Sequence, residues 1–238
     1  MEKVMPQTVV LDSGAMRFDE NAISAPRELL FDPAAFAADA TPVGEGGRQA
    51  AWFVQGDFGA AVLRHYRRGG MVARLSSSSY IWTGEASTRS FSEFDLLCLL
   101  YNQDFPVPRP LAAIYWRRGM TYRAALLTQR IAGAQTLAAL LHRDLQHKVA
   151  RVIFDMHEAG VWHADLNVFN ILVDANEKVW VIDFDRGRRE ALLSLARRNS
   201  NLFRLRRSLI KVAGTEGLAW WDKLNEAYIR LLQAKEHI

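Results

Sequence analysis

The chain has 238 residues, of which 50% are hydrophobic and 24% charged, and its formal net charge is +4. This length and apolar fraction exclude an intrinsically disordered chain and allow one large domain or two small lobes. The single cysteine, Cys98, excludes an internal disulfide, which fits a reducing cytoplasm, and its apolar neighbours predict that it is buried in a core.

Membrane and secretion signals are the next features that the sequence addresses. No stretch approaches the ~20 apolar residues that span a bilayer. Residues 1–7 are not followed by a long apolar region, so we expect no secretory signal. These patterns predict a soluble or peripheral protein.

The first third of the chain predicts a small sheet. Residues 8–11 are expected to form an edge strand and residues 33–39 a short helix. The apolar runs 52–54 and 60–63, joined by a Gly/Asp turn, predict a hairpin, and Arg64 directly follows the second run. A glycine-containing turn, which includes Gly46 and Gly47, precedes this hairpin.

The middle of the chain predicts helices and strands in turn. Residues 88–101 show helical spacing of apolar side chains, with Glu93 on the other side. After the proline-rich 106–110, strands are expected over 111–116 and 122–131. Further helices are expected over 136–141 and 149–158.

A group of polar residues with fixed spacing follows this last helix. His163, Asp165 and Asn170 lie on one loop, and Asp183 comes thirteen residues after Asn170. The apolar segments 171–173 and 179–182 between them predict a hairpin, which would bring Asn170 and Asp183 together. Converging carboxylate and amide oxygens suit Mg²⁺.

This pattern resembles the catalytic core of the protein-kinase-like superfamily, in which His-x-Asp-x-x-x-x-Asn is followed, after a hairpin, by a metal-binding Asp. The resemblance implies an α+β, bilobal fold. It has an antiparallel-sheet N-lobe over residues 1–131 and a short, mainly helical C-lobe over residues 132–238. It also implies ATP as phosphoryl donor and Mg²⁺ as metal.

The resemblance implies roles for individual residues. Asp165 would accept the proton of the attacking hydroxyl, His163 would brace the loop, and Asn170 and Asp183 would hold the metal. In the sheet, Arg64 would stand where kinases have a lysine for the nucleotide phosphates. Its partner there would be Glu93, and the nucleotide-binding loop would include Gly46 and Gly47.

The chain departs from protein kinases near the transferring phosphoryl group. Asn167 stands where protein kinases commonly have a lysine, so another cation is required, and Arg186 and Arg188 are candidates. Only 55 residues follow Asp183, so we expect a small-molecule, sugar or lipid acceptor rather than a protein. The role of Asp185 is left open.

The arginines point to an anionic partner. Residues 64–74 carry one cluster, and eight arginines lie between Arg186 and Arg207. Within residues 201–211, leucines and cations fall on different helical faces, which fits either an anionic membrane surface or a helix packed on the core through its leucines. The leucines are Leu202, Leu205 and Leu209, and the cations are Arg204, Arg207 and Lys211.

Five segments sharpen the resemblance: residues 63–70, 106–110, 162–167, 182–187 and 201–209. Together they resemble the bacterial 3-deoxy-D-manno-octulosonic acid (Kdo) kinase family, which is similar to the heptose kinases of lipopolysaccharide assembly. The resemblance implies phosphorylation of the Kdo 4-hydroxyl on lipid A precursor (Kdo-lipid IVA), by a peripheral enzyme at the cytoplasmic face of the inner membrane. The implied acceptor-binding residues are Arg67, Arg68, Arg186, Arg188, Arg204 and Arg207.

Other functions remain open from the residues alone. The acceptor could instead be a lipopolysaccharide heptose, an amino alcohol or an aminoglycoside, although cationic acceptors fit poorly with basic clusters. A non-catalytic membrane-surface or nucleic-acid binder on a kinase scaffold is a third class. Under the leading interpretation we expect no nucleic-acid partner, and no protein partner is implied.

Overall fold

The computed structural model describes residues 2–43, 51–67 and 79–236. The chain divides into two compact units. Unit 1 consists of Met1–Asp104 and Pro108–Arg130, and unit 2 of Phe105–Val107 and Ile131–Ile238.

Unit 1 is built on one eight-stranded antiparallel sheet with the order β1-β2-β7-β8-β5-β4-β3, in which β6 also pairs with β8. The strands pair through antiparallel registers throughout. They are β1 Pro6–Leu11, β2 Gly14–Asp19, β3 Thr41–Pro42, β4 Ala51–Gly56, β5 Gly59–His65, β6 Tyr80–Ile81, β7 Pro110–Arg118 and β8 Thr121–Gln129.

The two faces of this sheet have different neighbours. One face carries a hydrophobic core that includes Leu63, Ile114 and Leu127. The other face packs against α1, Arg89–Asn102, where Phe91 meets Tyr115 edge to face at 5.2 Å between ring centroids. Because successive side chains of a strand alternate between faces, Arg64 lies on the α1 side, next to Leu63 on the core side.

The sequence predicts most of unit 1 correctly. The strand expected at 8–11 is the edge strand β1, the expected hairpin is β4–β5, and the expected helix is α1. Pro33–Asp39 is a 3-10 helix rather than an α-helix. Asp32 caps its first turn, accepting from the Ala34 N–H at 3.0 Å, but the left-handed φ of 46° at Ala37 prevents a regular helix.

Unit 2 contains two α-helices and two small sheets. The helices are α2, Gln146–Glu158, and α3, Leu195–Glu236, which is kinked at Gly214, where φ is 55°. The segment expected to be a helix at 136–141 is a 3-10 helix over Leu137–Leu140. The strands are β9 Gln135–Thr136, β10 Val161–Trp162, β11 Ile171–Val173, β12 Val179–Val181 and β13 Arg188–Arg189.

These elements confirm the α+β class, with an antiparallel sheet in unit 1 and two long helices in unit 2. Cys98 is buried as predicted, and that burial raises the pKa of its thiol. Within the described ranges, no helix combines the length and the apolar character that a membrane span requires.

Candidate active site

The hairpin of unit 2 brings the predicted metal-binding residues together. Strands β11 and β12 pair antiparallel, with Ile171 opposite Val181. At the open end of this hairpin the Ile182 N–H donates to the Asn170 carbonyl at 3.0 Å. Asp183 follows with a left-handed φ of 63°. A non-glycine residue in this region is uncommon and is often found where a side chain is held for function.

Asp165, Asn170 and Asp183 line the same cavity, whose volume is about 590 Å³. The opposite wall is formed by α3, which contributes cations to it. The cavity therefore combines carboxylate and amide oxygens with positive charges inside one unit. Its α3 cations are Arg204, Arg207 and Lys211.

The oxygen donors of this cavity suit a hard divalent cation. The Asn170 side-chain N–H donates to the Asp165 carbonyl at 2.9 Å, which leaves the Asn170 amide oxygen as the atom available for a cation. The described residues contain no group of three or more His, Cys, Asp or Glu side chains placed for a metal. If a metal bound here, Asp183 and the Asn170 oxygen would be its protein ligands together with phosphate oxygens, which is how Mg²⁺ is commonly held.

His163 braces the loop from inside. It is fully buried, its Nε2–H donates to the Ile182 carbonyl at 3.0 Å, and its Nδ1 accepts from the Asp165 N–H at 3.1 Å. Desolvation by burial lowers the pKa of His163, which keeps the imidazole neutral so that Nδ1 can accept. The ring thus ties the predicted catalytic loop, residues 163–170, to the segment that precedes Asp183.

A second buried network holds His163 from α2 and α3. The Asn201 side chain accepts from the His163 N–H at 3.2 Å and donates to the His163 carbonyl. His157 on α2 bonds Asn201 Oδ1 through Nε2 at 3.2 Å and the Tyr228 hydroxyl through Nδ1 at 2.7 Å. Burial lowers the pKa of His157 to about 4, so it is neutral near pH 7.

Three residues on one face of α3 form hydrogen bonds with three residues of the catalytic loop. Asn201 bonds His163, the Arg204 Nη1–H donates to Asp165 Oδ1 at 3.0 Å, and the Ser208 hydroxyl accepts from the Val168 N–H at 3.2 Å. The spacing 201, 204 and 208 places these three side chains on one side of a helix. Asn201, Ser208 and His157 were not predicted as site residues, although the spacing of Asn201, Arg204 and Ser208 between the leucines is visible in the sequence.

The leucine face of α3 packs inside the protein. Leu202, Leu205 and Leu209 are all buried, so they are not available to a bilayer. Of the two interpretations left open for residues 201–211, the structure supports the packed helix.

Arg186 and Arg188 do not line this cavity among the residues described for it. Arg188 lies on β13, paired with Trp162 of β10, and Arg186 adopts a left-handed φ of 59°. The cations that the structure brings to the catalytic loop are those of α3.

In unit 1, Arg64 pairs with Glu93 as predicted. The Arg64 Nη2 lies 2.6 Å from both carboxylate oxygens of Glu93. The Tyr66 hydroxyl donates to Glu93 Oε2 at 2.6 Å, and the Arg64 guanidinium lies 4.7 Å from the centre of the Tyr66 ring. Arg64 and Tyr66, two residues apart on the chain, thus both contact the Glu93 carboxylate.

Arg67 lies in a different environment from Arg64. It lines a cavity of about 590 Å³ in unit 1, together with His65, Trp116 and Arg123. His65 and Trp116 are stacked, with ring centroids 6.4 Å apart, and desolvation lowers the pKa of His65. The other predicted residues of this region, Gly46, Gly47 and Arg68, lie outside the described residues.

Comparisons with known proteins give the family. Residues 34–228 match the model of the lipopolysaccharide kinase (Kdo/WaaP) family. A protein of Stenotrophomonas maltophilia (strain R551-3), named 3-deoxy-D-manno-octulosonic acid kinase, is 46% identical over 225 residues, which cover 93% of this chain and 89% of that protein. A protein of the same name from Xanthomonas campestris pv. campestris (strain B100) is 44% identical over 229 residues, covering 94% and 90%.

A third protein of that name, from Xanthomonas axonopodis pv. citri (strain 306), is 43% identical over 229 residues, covering 94% of this chain and 90% of its own length. The matched residues include both the Arg64–Glu93 pair and the catalytic loop. The chain therefore belongs to the lipopolysaccharide kinase (Kdo/WaaP) family and is a phosphotransferase with an alcohol group as acceptor.

Proposed function

We propose that this chain transfers the γ-phosphoryl group of ATP to the 4-hydroxyl of Kdo on a lipid A precursor (Kdo-lipid IVA). The observation that carries this proposal is the cavity in which Asp165, Asn170 and Asp183 face the cations of α3. Carboxylate and amide oxygens suit the metal and the acceptor hydroxyl, and the cations suit an anionic acceptor. The names of the relatives support Kdo as the acceptor sugar.

Asp165 acts as the group that takes the proton from the acceptor hydroxyl. Its backbone is fixed by His163 at the N–H and by Asn170 at the carbonyl, so the carboxylate is presented from a rigid loop. A carboxylate in this position raises the nucleophilicity of the hydroxyl as the new bond forms. His163 itself stays neutral and serves as a brace rather than as an acid or a base.

Asn170 and Asp183 are the residues that would hold Mg²⁺. When bound, Mg²⁺ neutralises phosphate charge and holds the phosphates for transfer. The bond from the Asn170 amide N–H to the loop turns the amide oxygen outward for this purpose.

Unit 1 supplies nucleotide contacts in this proposal. Glu93 orients Arg64 through both carboxylate oxygens, and Arg64 is assigned to phosphate oxygens of ATP. The segment of the sequence that contains Gly46 and Gly47 is assigned to the nucleotide phosphates. Unit 1 thus serves as the N-lobe of the kinase and unit 2 as its catalytic C-lobe.

Several cationic side chains are assigned to the anionic acceptor. Arg207 and Lys211 line the same cavity as Asp165, so they are assigned to phosphate or carboxylate groups close to the reacting hydroxyl. Arg67, Arg68, Arg186 and Arg188 would contact more distant anionic groups of the glycolipid.

The enzyme would work at the cytoplasmic face of the inner membrane as a peripheral protein. Because the leucines at 202, 205 and 209 are buried, membrane contact would use exposed apolar side chains of α3 such as Leu195 and Phe203. Sedimentation with anionic and with neutral vesicles tests this assignment. Binding that does not depend on anionic lipid would contradict it.

The acceptor assay tests the function itself. Purified protein with ATP, Mg²⁺ and Kdo-lipid IVA should give a product one phosphoryl group heavier by mass spectrometry, and fragmentation should place it at the Kdo 4-hydroxyl. Asp165→Ala should lower kcat by about 10²- to 10⁴-fold. Heptose-containing acceptors and aminoglycosides form the comparison panel, and transfer to one of these in place of Kdo-lipid IVA would replace the proposed acceptor.

A further inference from the structure

We propose that Arg204 is the catalytic cation of this active site, which orients Asp165 and stabilises the transferring phosphoryl group. This inference rests on the proposed function and gives Arg204 a role beyond acceptor binding.

The catalytic loop carries no positive charge of its own. Between His163 and Asn170 the sequence reads Ala-Asp-Leu-Asn-Val-Phe, so no lysine or arginine stands beside the base. Phosphoryl transfer develops charge on the oxygens of the moving group, and catalysis depends largely on cations held beside it. A cation from another element is therefore required.

Arg204 is the cation that the structure brings to the base. Its Nη1–H donates to Asp165 Oδ1 at 3.0 Å, while Arg207 and Lys211 stand one and two turns further along the same cavity wall. No contact of Arg207 or Lys211 with Asp165 is found in the part of the chain that the structure describes. Arg204 is thus placed differently from its two neighbours.

The contact leaves the second oxygen of Asp165 for the acceptor. With Oδ1 held by Arg204, Oδ2 takes the proton of the acceptor hydroxyl, while the oxygen of that hydroxyl bonds to the γ-phosphorus. The bond from that phosphorus to the bridging oxygen breaks, and ADP leaves. A guanidinium has five N–H donors in one plane, so Arg204 can hold Oδ1 and a phosphoryl oxygen together.

The fold keeps Arg204 in register with the loop. Asn201, one turn earlier on α3, bonds both the N–H and the carbonyl of His163, and Ser208, one turn later, bonds the Val168 N–H. These contacts on either side of Arg204 fix the helix against the loop. Arg204 therefore reaches Asp165 from a rigid backbone although its own side chain is partly exposed.

Steady-state kinetics of Arg204→Ala, Arg204→Lys and Arg207→Ala test the assignment, with Arg206→Ala as matched control. Arg206 lies on the same helix but does not line the cavity as described. Arg204→Ala should lower kcat by about 10²- to 10³-fold with little change in acceptor KM. Arg204→Lys should recover part of the loss, Arg207→Ala should mainly raise acceptor KM, and Arg206→Ala should match the wild type.

A binding measurement separates this role from a structural one. ADP with aluminium fluoride and Mg²⁺ imitates the transferring phosphoryl group, and Arg204→Ala should weaken its binding much more than that of a non-hydrolysable ATP analogue. Equal weakening of both, or an effect of Arg204→Ala on acceptor KM alone, would overturn the assignment. Absence of phosphoryl transfer in the wild type would instead contradict the proposed function, and the aluminium fluoride comparison would still decide the role of Arg204.

Discussion

The Arg64–Glu93 pair of unit 1 and the Arg204–Asp165 pair of unit 2 are built in opposite ways. In unit 1 the Glu93 side chain is 1% exposed and bonds Arg64 through both oxygens, and it also accepts from the Tyr66 hydroxyl. In unit 2 the Asp165 side chain is 57% exposed and Arg204 44%, and one bond of 3.0 Å joins them.

The difference shows which part of each residue is fixed. Glu93 is held at its carboxylate, so the direction of Arg64 is set before any ligand arrives. Asp165 is held at its backbone by His163, and His163 by Asn201, while its carboxylate faces the cavity. A carboxylate that exchanges a proton during the reaction must remain reachable, whereas one that only orients a cation can be buried.

The largest expected effect on stability comes from the buried pair. Glu93→Ala removes the buried carboxylate that pairs with Arg64 and accepts from Tyr66, so the free energy of unfolding should fall by about 3 kcal/mol. Urea unfolding at neutral pH measures this change.

Asp95 offers a matched control for that experiment. It lies on the same helix and pairs with Arg17 at 2.6 Å, but its side chain is 52% exposed. Asp95→Ala should cost at most about 1 kcal/mol, because solvent screens exposed pairs. Equal losses for the two variants would show that burial does not distinguish them.

His157 belongs to the buried hydrogen-bond network that holds the backbone of His163 and Asp165. The pKa of His157 is lowered to about 4 by burial, whereas an unfolded histidine titrates near 6.5. Between these values only the unfolded chain takes up the proton, so lowering the pH from 7.5 to 5 favours unfolding by about 2 kcal/mol through this residue.

His157→Gln removes this titratable group. When the pH falls from 7.5 to 5, the variant should therefore lose about 2 kcal/mol less stability than the wild type. Urea unfolding at both pH values measures the difference, to which His65 and His163 contribute equally in both proteins. If His157→Gln and the wild type showed the same pH dependence, the interpretation of His157 as a neutral, buried imidazole would be wrong.

Sequence reasoning reached the parts of the site that local patterns encode. The β11–β12 hairpin follows from two apolar runs around a turn, and it fixes Asn170 and Asp183 at its open end. The Arg64–Glu93 pair was predicted in another way, from the resemblance to kinases, in which a cation at the end of a strand pairs with a glutamate on the next helix. Residue spacing alone determines the geometry of the hairpin but not that of the pair.

Contacts between segments that are distant in sequence could not be predicted from local patterns. Arg204 is 39 residues from Asp165 in sequence, and only the packing of the α3 leucines brings its polar face to the catalytic loop. The sequence showed an amphipathic helix but not the partner of either face. Strand β2 was also not predicted, because its pairing with β1 and β7, rather than a strong apolar pattern, makes it a strand.

The smallest expected effect belongs to the exposed pair, and it completes the comparison. Arg204→Ala should change the free energy of unfolding by less than about 1 kcal/mol, because both side chains of the pair are largely solvated. The same variant should lose most of its kcat, whereas Glu93→Ala should lose stability. Urea unfolding of Arg204→Ala, beside its kinetics, checks this separation. A loss of stability comparable to that of Glu93→Ala would mean that Arg204 supports the fold, and its kinetic effect could then no longer be assigned to the transferring phosphoryl group.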